Sequence, residues 1–250
     1  MSWVEISTEN GIAIVSLQRG RVNALHEPLV DELQKVMDDL KLDPTVKAVI
    51  LTGKGKFFSF GFDIPEFLHY SREDFVSYLG KFSSLCTELF IWPKPIIAGL
   101  NGHAVAGGCM LAITCDYRLM VTGKAKISLN EITFGASVFA STTAMLQYWL
   151  GGPKAQTVLY RGSLYSAEEA LALGIIDRLA TESELLAAAC QQAEVLAGKD
   201  MVAFASIKKL LRQPAMDLIK SYEADSIREF VDIWYSPTTW VNLQNIKIHG

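Results

Sequence analysis

The chain has 250 residues, of which 50% are hydrophobic and 20% are charged, and its formal net charge is −4. This composition excludes an intrinsically disordered chain, which needs low hydrophobicity and high charge. Because no cluster of Lys and Arg offsets the acidic balance, the sequence does not support nucleic-acid binding. The longest apolar candidate for a membrane span, residues 96–115, is interrupted by Asn101, His103 and four glycines, which argues against insertion in a bilayer.

The cysteines indicate the compartment. They lack CxxC spacing and lie in apolar surroundings, at positions Cys86, Cys109, Cys115 and Cys190. This pattern favours buried, reduced thiols over a zinc site or a disulfide framework. The first ten residues carry no basic segment of the kind that opens a signal peptide. The sequence therefore predicts a cytoplasmic protein without a metal site.

The first half of the chain alternates between strand and helix patterns. Two β-type runs, residues 4–6 and 12–17, flank Asn10-Gly11 and predict a hairpin. An apolar run that fits a strand buried on both faces spans residues 46–51, and further strands are expected at residues 96–100 and 117–121. Helical spacing is seen over residues 29–40, 75–90 and 107–114. This alternation predicts an α/β fold with parallel strands and helices on the faces of the sheet.

The second half is mostly helical. Helices are expected over residues 140–150, 155–160, 167–173, 182–196 and 201–211. Ser166 and Glu169 form a capping box at the start of one of them. Further helices are expected near residues 218–234, where aromatic residues are frequent, and we expect that segment to pack on another subunit.

Two glycine-containing turns follow predicted parallel strands, where ligands bind in open α/β sheets. They span residues 57–64 and 101–109. Gly107 and Gly108 open a helix, so their backbone N–H groups are unpaired and sterically accessible to a negatively charged oxygen. Neither turn is a dinucleotide or Walker motif. Taken alone, both are most simply tight turns without chemistry.

Together with their surroundings, these turns resemble the crotonase (enoyl-CoA hydratase/isomerase) superfamily. The matching segments stand in the family's order over most of residues 5–212: Val22-Asn-Ala-Leu25, Phe58-Ser-Phe-Gly-Phe-Asp-Ile64, Lys94-Pro-Ile-Ile-Ala98, Asn101-Gly-His-Ala-Val-Ala-Gly-Gly108, Cys115-Asp116 and Ala170–Gly174. The resemblance implies a crotonase-like spiral of ββα units over residues 1–195 that holds CoA and the active site. It also implies a helical trimerisation region over residues 196–250.

The same resemblance implies the ligand and the assembly. The substrate would be an acyl-CoA or enoyl-CoA thioester, and no separate cofactor is expected because coenzyme A is part of the substrate. The protein would form a homotrimer or a dimer of trimers.

The resemblance also places site residues. The backbone N–H groups of Phe62 and Gly107 would hold the thioester oxygen as it becomes an enolate, and losing one such donor costs roughly 10²–10³ in rate. Further substrate contacts are implied at Phe60, Gly61, Phe62, Asp63, Ile64, Gly107 and Asn130.

The subtype depends on carboxylates. Hydratases of this family orient water with two glutamates, but the first position is Met110 here and only the second, Glu131, is acidic. The stretch from Gly107 to Arg118, followed by Leu129-Asn-Glu131, looks like the mitochondrial-type Δ3,Δ2-enoyl-CoA isomerases. We therefore expect Glu131 to move a proton from C2 to C4 of a 3-enoyl-CoA. Apolar neighbours are expected to exclude water and raise its pKa, namely Met110, Phe134, Val138 and Phe139.

Alternative functions remain open at this point. The chain could catalyse another crotonase reaction, such as weak hydration or decarboxylation, since all of these share the oxyanion donors. It could also be a non-catalytic acyl-CoA-binding member, which Met110 favours and Glu131 opposes.

Several other polar residues have simpler interpretations. His103 is expected to be packed or solvent-facing, Asp63 to make local hydrogen bonds, and Asp116 to be structural. Basic residues of one helix, Lys208, Lys209 and Arg212, could meet CoA phosphates. A solvated helix face is the simpler interpretation of these three residues.

Overall fold

The computed structural model describes residues 2–246. A six-stranded sheet in this structure contains most of the buried apolar runs of the sequence. Its strands are β1 (Val4–Glu9), β2 (Ile12–Leu17), β3 (Ala48–Gly53), β5 (Ile96–Leu100), β7 (Tyr117–Val121) and β9 (Arg178–Ala180), in that spatial order. The β1–β2 pair is the predicted antiparallel hairpin, and every other neighbouring pair is parallel. The predicted α/β class is confirmed.

Three very short strands form a second sheet. They are β4 (Phe57–Ser59), β6 (His103–Val105) and β8 (Ile127–Ser128), and both neighbouring pairs are parallel. Because parallel strands end at the same edge of a sheet, the segments that follow β4, β6 and β8 are brought together. Those segments contain the residues singled out by the sequence.

Ten helices surround the sheets in the described part of the chain: α1 (Glu27–Leu42), α2 (Ile64–Phe67), α3 (Arg72–Phe90), α4 (Gly107–Ala112), α5 (Ala140–Leu150), α6 (Gly152–Arg161), α7 (Ala167–Leu173), α8 (Leu185–Ala197), α9 (Met201–Trp234) and α10 (Pro237–Gln244). The capping box at the start of α7 forms as predicted. Within residues 2–246, no helix combines the length and the apolar content that crossing a bilayer requires. The predicted division after residue 195 stays a prediction, and it would fall inside the last turn of α8.

Helix α9 differs from the prediction in its length. It is one helix of 34 residues that continues through Pro214, whereas separate helices were expected before and after residue 211. The proline removes the hydrogen bond to Leu210 O, and Leu210 is exposed, so water can satisfy that carbonyl. The aromatic residues Phe230 and Trp234 are buried inside the chain, with ring centroids 5.5 Å from Phe139 and 4.8 Å from Phe75, respectively. These two rings therefore pack inside the chain, and the expected packing of residues 218–234 on another subunit stays a prediction.

The basic residues of α9 also lie elsewhere than predicted. Lys208 and Arg212 are buried and each pairs with Asp116 at 2.8 Å, while Lys209 alone is exposed. Asp116 also accepts a hydrogen bond from Ile96 N at 2.8 Å. Burial lowers the pKa of Lys208 to about 8. Neither a solvated face nor a CoA phosphate contact describes Lys208 and Arg212, since both are engaged in a buried ion cluster that fastens α9 to the large sheet.

Removing the carboxylate of this cluster should destabilise the fold. Asp116→Ala leaves two buried cations without a partner and is expected to cost about 3–5 kcal/mol of unfolding free energy. The matched control is Asp225→Ala, which breaks the exposed pair with Arg228 and should cost under about 1 kcal/mol. Urea unfolding of both variants measures the difference, and equal losses would contradict a structural role for the cluster.

Candidate active site

The candidate site lies at the edge where the three strands of the small sheet end. Phe60–Ile64 follows β4, Ala106 and Gly107 follow β6, and Leu129–Glu131 follows β8. Hydrogen bonds continue this arrangement beyond the strands, because Ala106 N donates to Ser128 O at 2.8 Å. The sheet therefore places three separate stretches of the sequence side by side.

Two backbone N–H groups remain available at this edge. Leu25 holds both neighbours of Phe62, since Leu25 N donates to Gly61 O at 2.7 Å and Asp63 N donates to Leu25 O at 3.0 Å. Phe62 N lies between these bonds and, like Gly107 N, has no backbone acceptor among residues 2–246. Both N–H groups are therefore available to a ligand oxygen, and the oxyanion-binding role that the resemblance implied for them stays a prediction.

Glycine allows the segment that follows β4 to approach the end of β6 closely. Gly61 has φ +95°, and a Cβ atom there would lie 2.7 Å from Val105 O and 3.0 Å from Gly107 N. Any side chain would force the two strand ends apart. Ala106 has φ +49°, a conformation that non-glycine residues rarely adopt, and it immediately precedes Gly107. The backbone at the candidate oxyanion site is therefore held in an unusual conformation by the packing around it.

Glu131 is the carboxyl group of this site. It opens a 3₁₀ turn, Glu131–Phe134, directly after β8 and is only 4% exposed. Neither carboxyl oxygen has a hydrogen-bond partner among the described residues. Burial raises its pKa to about 8. Cys109 on α4 is a titratable neighbour, and its own pKa is raised first by burial and then by the Glu131 charge.

Glu131 borders two cavities. The first, which we call the aromatic cavity, has a volume of about 310 Å³ and contains five aromatic side chains in its wall. It is lined by Phe60, Phe62, Ile64, Val105, Ala106, Asn130, Glu131, Thr133, Phe134, Phe230, Trp234 and Ile246. The second, of about 400 Å³, includes Val138, Leu159 and Ile233 in its lining. A carboxyl group between two apolar cavities is suited to proton transfer on an apolar ligand that excludes water.

Most of the predicted site residues converge. Phe60, Phe62, Ile64, Asn130 and Glu131 line the aromatic cavity, and the backbones of Gly61 and Gly107 meet beside it. The expected substrate contacts at these positions stay predictions.

Asp63 is engaged locally. Its carboxylate accepts a hydrogen bond from Glu66 N at the start of α2 and pairs with Arg19 at 2.6 Å. A contact between Asp63 and the substrate also stays a prediction.

The apolar neighbours expected around Glu131 divide into two groups. Phe134 and Val138 line the cavities that Glu131 borders. Met110 and Phe139 are buried but line neither of these two cavities. His103 is packed, with its ring centroid 4.8 Å from that of Phe57 and its Nδ1 accepting from Lys126 N.

Sequence reasoning missed a basic pocket next to the site. A cavity of about 300 Å³ is lined by Arg19, Gly20, Arg21, Val22, Ala24, Asp63 and Pro65. Arg21 is exposed and makes no ion pair within residues 2–246. The available signal was the pair of arginines directly before Val22-Asn-Ala-Leu25.

Comparisons with known proteins show which family this chain resembles. The enoyl-CoA hydratase/isomerase family model matches residues 7–233. A probable enoyl-CoA hydratase of Bacillus subtilis is 31% identical over 213 residues, which are 84% of this chain and 82% of that protein. A putative enoyl-CoA hydratase of Thermus thermophilus is 34% identical over 211 residues, covering 82% and 83% of the two chains.

A solved structure is also similar. The crystal structure of human mitochondrial delta3-delta2-enoyl-CoA isomerase superposes with a TM-score of 0.91 at 26% identity, and the match covers 97% of this chain and 95% of that one.

The raised pKa of Glu131 should appear in the pH dependence of stability. The folded chain keeps a proton that the unfolded chain releases above the ordinary pKa of 4.5. The corresponding stabilisation is complete below that value and is lost as the pH rises towards about 8. From about pH 5 to 8.5, the wild type should thus lose a few kcal/mol relative to Glu131→Gln, measured by urea unfolding. Exposed Glu182→Gln is the control and should follow the wild type; parallel curves for Glu131→Gln would contradict the buried carboxyl.

Proposed function

Because the chain belongs to the enoyl-CoA hydratase/isomerase family, we propose that it is a Δ3,Δ2-enoyl-CoA isomerase. The reaction converts a 3-enoyl-CoA into the conjugated 2-enoyl-CoA, a step of fatty-acid metabolism. The observation that carries this proposal is the presence of one buried carboxyl, Glu131, among the described residues that line the aromatic cavity. Similarity to the human isomerase structure supports the proposal.

The proposed mechanism uses Glu131 twice. Its carboxylate removes a proton from C2 of the substrate, and the C–H electron pair moves into a dienolate that extends from the thioester oxygen to C4. The N–H groups of Phe62 and Gly107 donate to that oxygen while it is negative. Glu131 then returns the proton at C4, the C2–C3 double bond forms, and the thioester carbonyl is restored.

The environment of Glu131 suits this task. A general base works best when its pKa lies near the working pH, and burial brings the pKa of Glu131 to about 8. Both of its oxygens lack a hydrogen-bond partner in the described chain, so no protein donor occupies the lone pairs that must accept the substrate proton. Burial therefore gives this glutamate a basicity that an exposed carboxylate lacks.

Hydration of a 2-enoyl-CoA is the second candidate. The relatives in Bacillus subtilis and Thermus thermophilus are named as hydratases, which favours it. The two-glutamate route needs a second acid to hold the attacking water, and the corresponding residue here is Met110, a buried thioether outside the cavity wall. A thioether neither orients nor deprotonates water, so we place isomerisation first. A non-catalytic acyl-CoA-binding role would leave the burial of Glu131 without a use.

The paired substrates 3-hexenoyl-CoA and 2-hexenoyl-CoA separate these functions. We expect the wild type to convert the first and not to hydrate the second. Glu131→Gln should lose about 10²–10⁴ in turnover and also lose deuterium incorporation from solvent at C2 and C4, because the amide cannot carry the proton. Circular dichroism of the variant should match the wild type. Hydration of 2-hexenoyl-CoA at a rate comparable to isomerisation would establish the hydratase instead, and full activity of Glu131→Gln would exclude the proposed base.

The basic pocket beside Asp63 is proposed to bind the phosphates of coenzyme A. Arg21 supplies an exposed cation there, while Arg19 is already paired with Asp63. An anionic ligand held by one exposed arginine gains a charge-assisted contact worth a few kcal/mol at most.

Arg21→Ala should raise KM for 3-hexenoyl-CoA roughly 10-fold without changing kcat, because the charge lies away from the reacting carbons. The substrate analogue 3-hexenoyl-pantetheine lacks the nucleotide phosphates, and its KM should be the same for both proteins. An equal rise in KM for both substrates would show that Arg21 acts through the fold.

Assembly and compartment are also proposals. One face of α9 exposes apolar side chains at helical spacing, namely Ile207, Leu210, Leu211, Leu218 and Tyr222. We propose that this face joins copies of the chain into a trimer or a dimer of trimers, which sedimentation equilibrium can test. The four cysteines are free thiols, which supports a reducing compartment such as the cytoplasm.

A further inference from the structure

The turn that carries Glu131 is too short to hold itself in place. It consists of four residues, Glu131–Phe134, and ends at Gly135, which has φ +87°. Its internal bonds are few, the main ones being Thr133 N to Asn130 O at 2.9 Å and Ala136 N to Glu131 O at 3.0 Å. The carbonyls of Phe134 and Gly135 accept no backbone hydrogen bond among residues 2–246, so their donors must come from side chains.

Those donors come from α10. Thr239 Oγ1 donates to Gly135 O at 2.8 Å, and Asn242 Nδ2 donates to Phe134 O at 3.1 Å. Thr239 is only 3% exposed, whereas Asn242 is exposed. The donor end of the Thr239 bond is therefore buried, while its acceptor residue, Gly135, is exposed.

The approach between the two elements is close. A Cβ atom at Gly135 would lie 3.0 Å from Thr239 Oγ1, so a side chain at this position would press against α10. Helix α10 is itself anchored at its start, because Tyr235 OH donates to Tyr70 O at 2.7 Å and the Tyr235 ring stacks on Trp240. Ile246, just after α10, lines the aromatic cavity. Helix α10 is thus fixed to the rest of the chain at its start and contacts the turn that carries Glu131.

Among residues 2–246, the carboxyl of Glu131 has no hydrogen-bond partner to orient it. Its position is consequently set by the backbone from which it extends and by the apolar atoms around it. Catalytic groups that are displaced by about 1 Å lose roughly 10²-fold in rate. A hydrogen bond that fixes the backbone of this turn therefore also fixes the position of the Glu131 carboxyl oxygens, which transfer the proton.

We propose that Thr239 of α10 is a positioning residue for Glu131, acting through its hydrogen bond to Gly135 O. This inference rests on the proposed role of Glu131 as the base. Asn242 assists at the surface through Phe134 O. The side chain of Thr239 contacts the turn and not the substrate, so its loss should change kcat more than KM.

The test compares four variants of the full chain with 3-hexenoyl-CoA. Thr239→Val removes the hydroxyl at nearly constant volume and should lower kcat roughly 10- to 100-fold with KM within about 2-fold. Thr239→Ser keeps the donor and should restore most of kcat. Asn242→Ala, which removes an exposed bond, should show a smaller loss in the same direction. The matched control is Asn245→Ala at the end of α10, whose side chain donates only to Val241 O within the described residues, and its kcat should equal that of the wild type.

A second readout reports the base directly. Carbon-13 NMR of carboxyl-labelled glutamate, with the Glu131 signal assigned by its absence in Glu131→Gln, follows the titration of this residue. In Thr239→Val, water should reach the loosened turn, so the pKa of Glu131 should fall from its raised value towards the ordinary one. Cys109 is the neighbouring titratable group and is unchanged in every variant.

Different results would overturn the positioning role of Thr239 and the proposed function of Glu131. A wild-type kcat together with a wild-type pKa of Glu131 in Thr239→Val would overturn the positioning role, even if the melting temperature fell. Full activity of Glu131→Gln would overturn the proposed function, and the NMR titration of Thr239→Val would still decide whether α10 positions the carboxyl.

Discussion

Parallel pairing of the short strands β4, β6 and β8 is the constraint on which the candidate site depends. Each strand has two or three residues, yet each is followed by one part of the site. The three parts are far apart in sequence, at Phe60–Ile64, Ala106-Gly107 and Leu129–Glu131. Since parallel strands end at one edge, pairing them brings the two free N–H groups and the carboxyl into one place.

The burial of Glu131 is unfavourable for the fold and favourable for the proposed reaction. An ionised carboxyl without a partner is destabilised in an apolar site, which is why its pKa rises to about 8. The rest of the structure must offset this loss, because the group is held in place at neutral pH. In return, the carboxylate is a stronger base than an exposed glutamate, and the apolar wall keeps water away from the reacting carbons.

Helix α9 contributes both to the stability of the fold and to the wall of the candidate site, through two different kinds of contact. Near its start, Lys208 and Arg212 pair with Asp116 beside the large sheet. Near its end, Phe230 and Trp234 form part of the wall of the aromatic cavity. The buried ions fix where the helix lies, and the aromatic rings at its other end shape the cavity. The following helix, α10, extends the same chain of contacts to the turn that carries Glu131.

The sequence by itself determined the α/β class, the five longer strands of the large sheet and most helices, because buried strands and amphipathic helices leave strong periodic patterns. It also determined the order of the motifs and the contrast between Met110 and Glu131. Only the tertiary structure decided the small sheet, since strands of two or three residues carry no periodicity.

The tertiary structure also decided the role of Lys208 and Arg212. Their sequence pattern is typical of a solvated helix face, and only the fold places Asp116 next to them. The sequence predicted separate helices over residues 201–211 and 218–234, whereas α9 continues through Pro214 as one helix. The contact of Thr239 with Gly135 joins residues 104 positions apart in the sequence. The raised pKa of Glu131 results from burial by several elements. Local sequence does not encode such distances, because they arise only when the separate elements pack together.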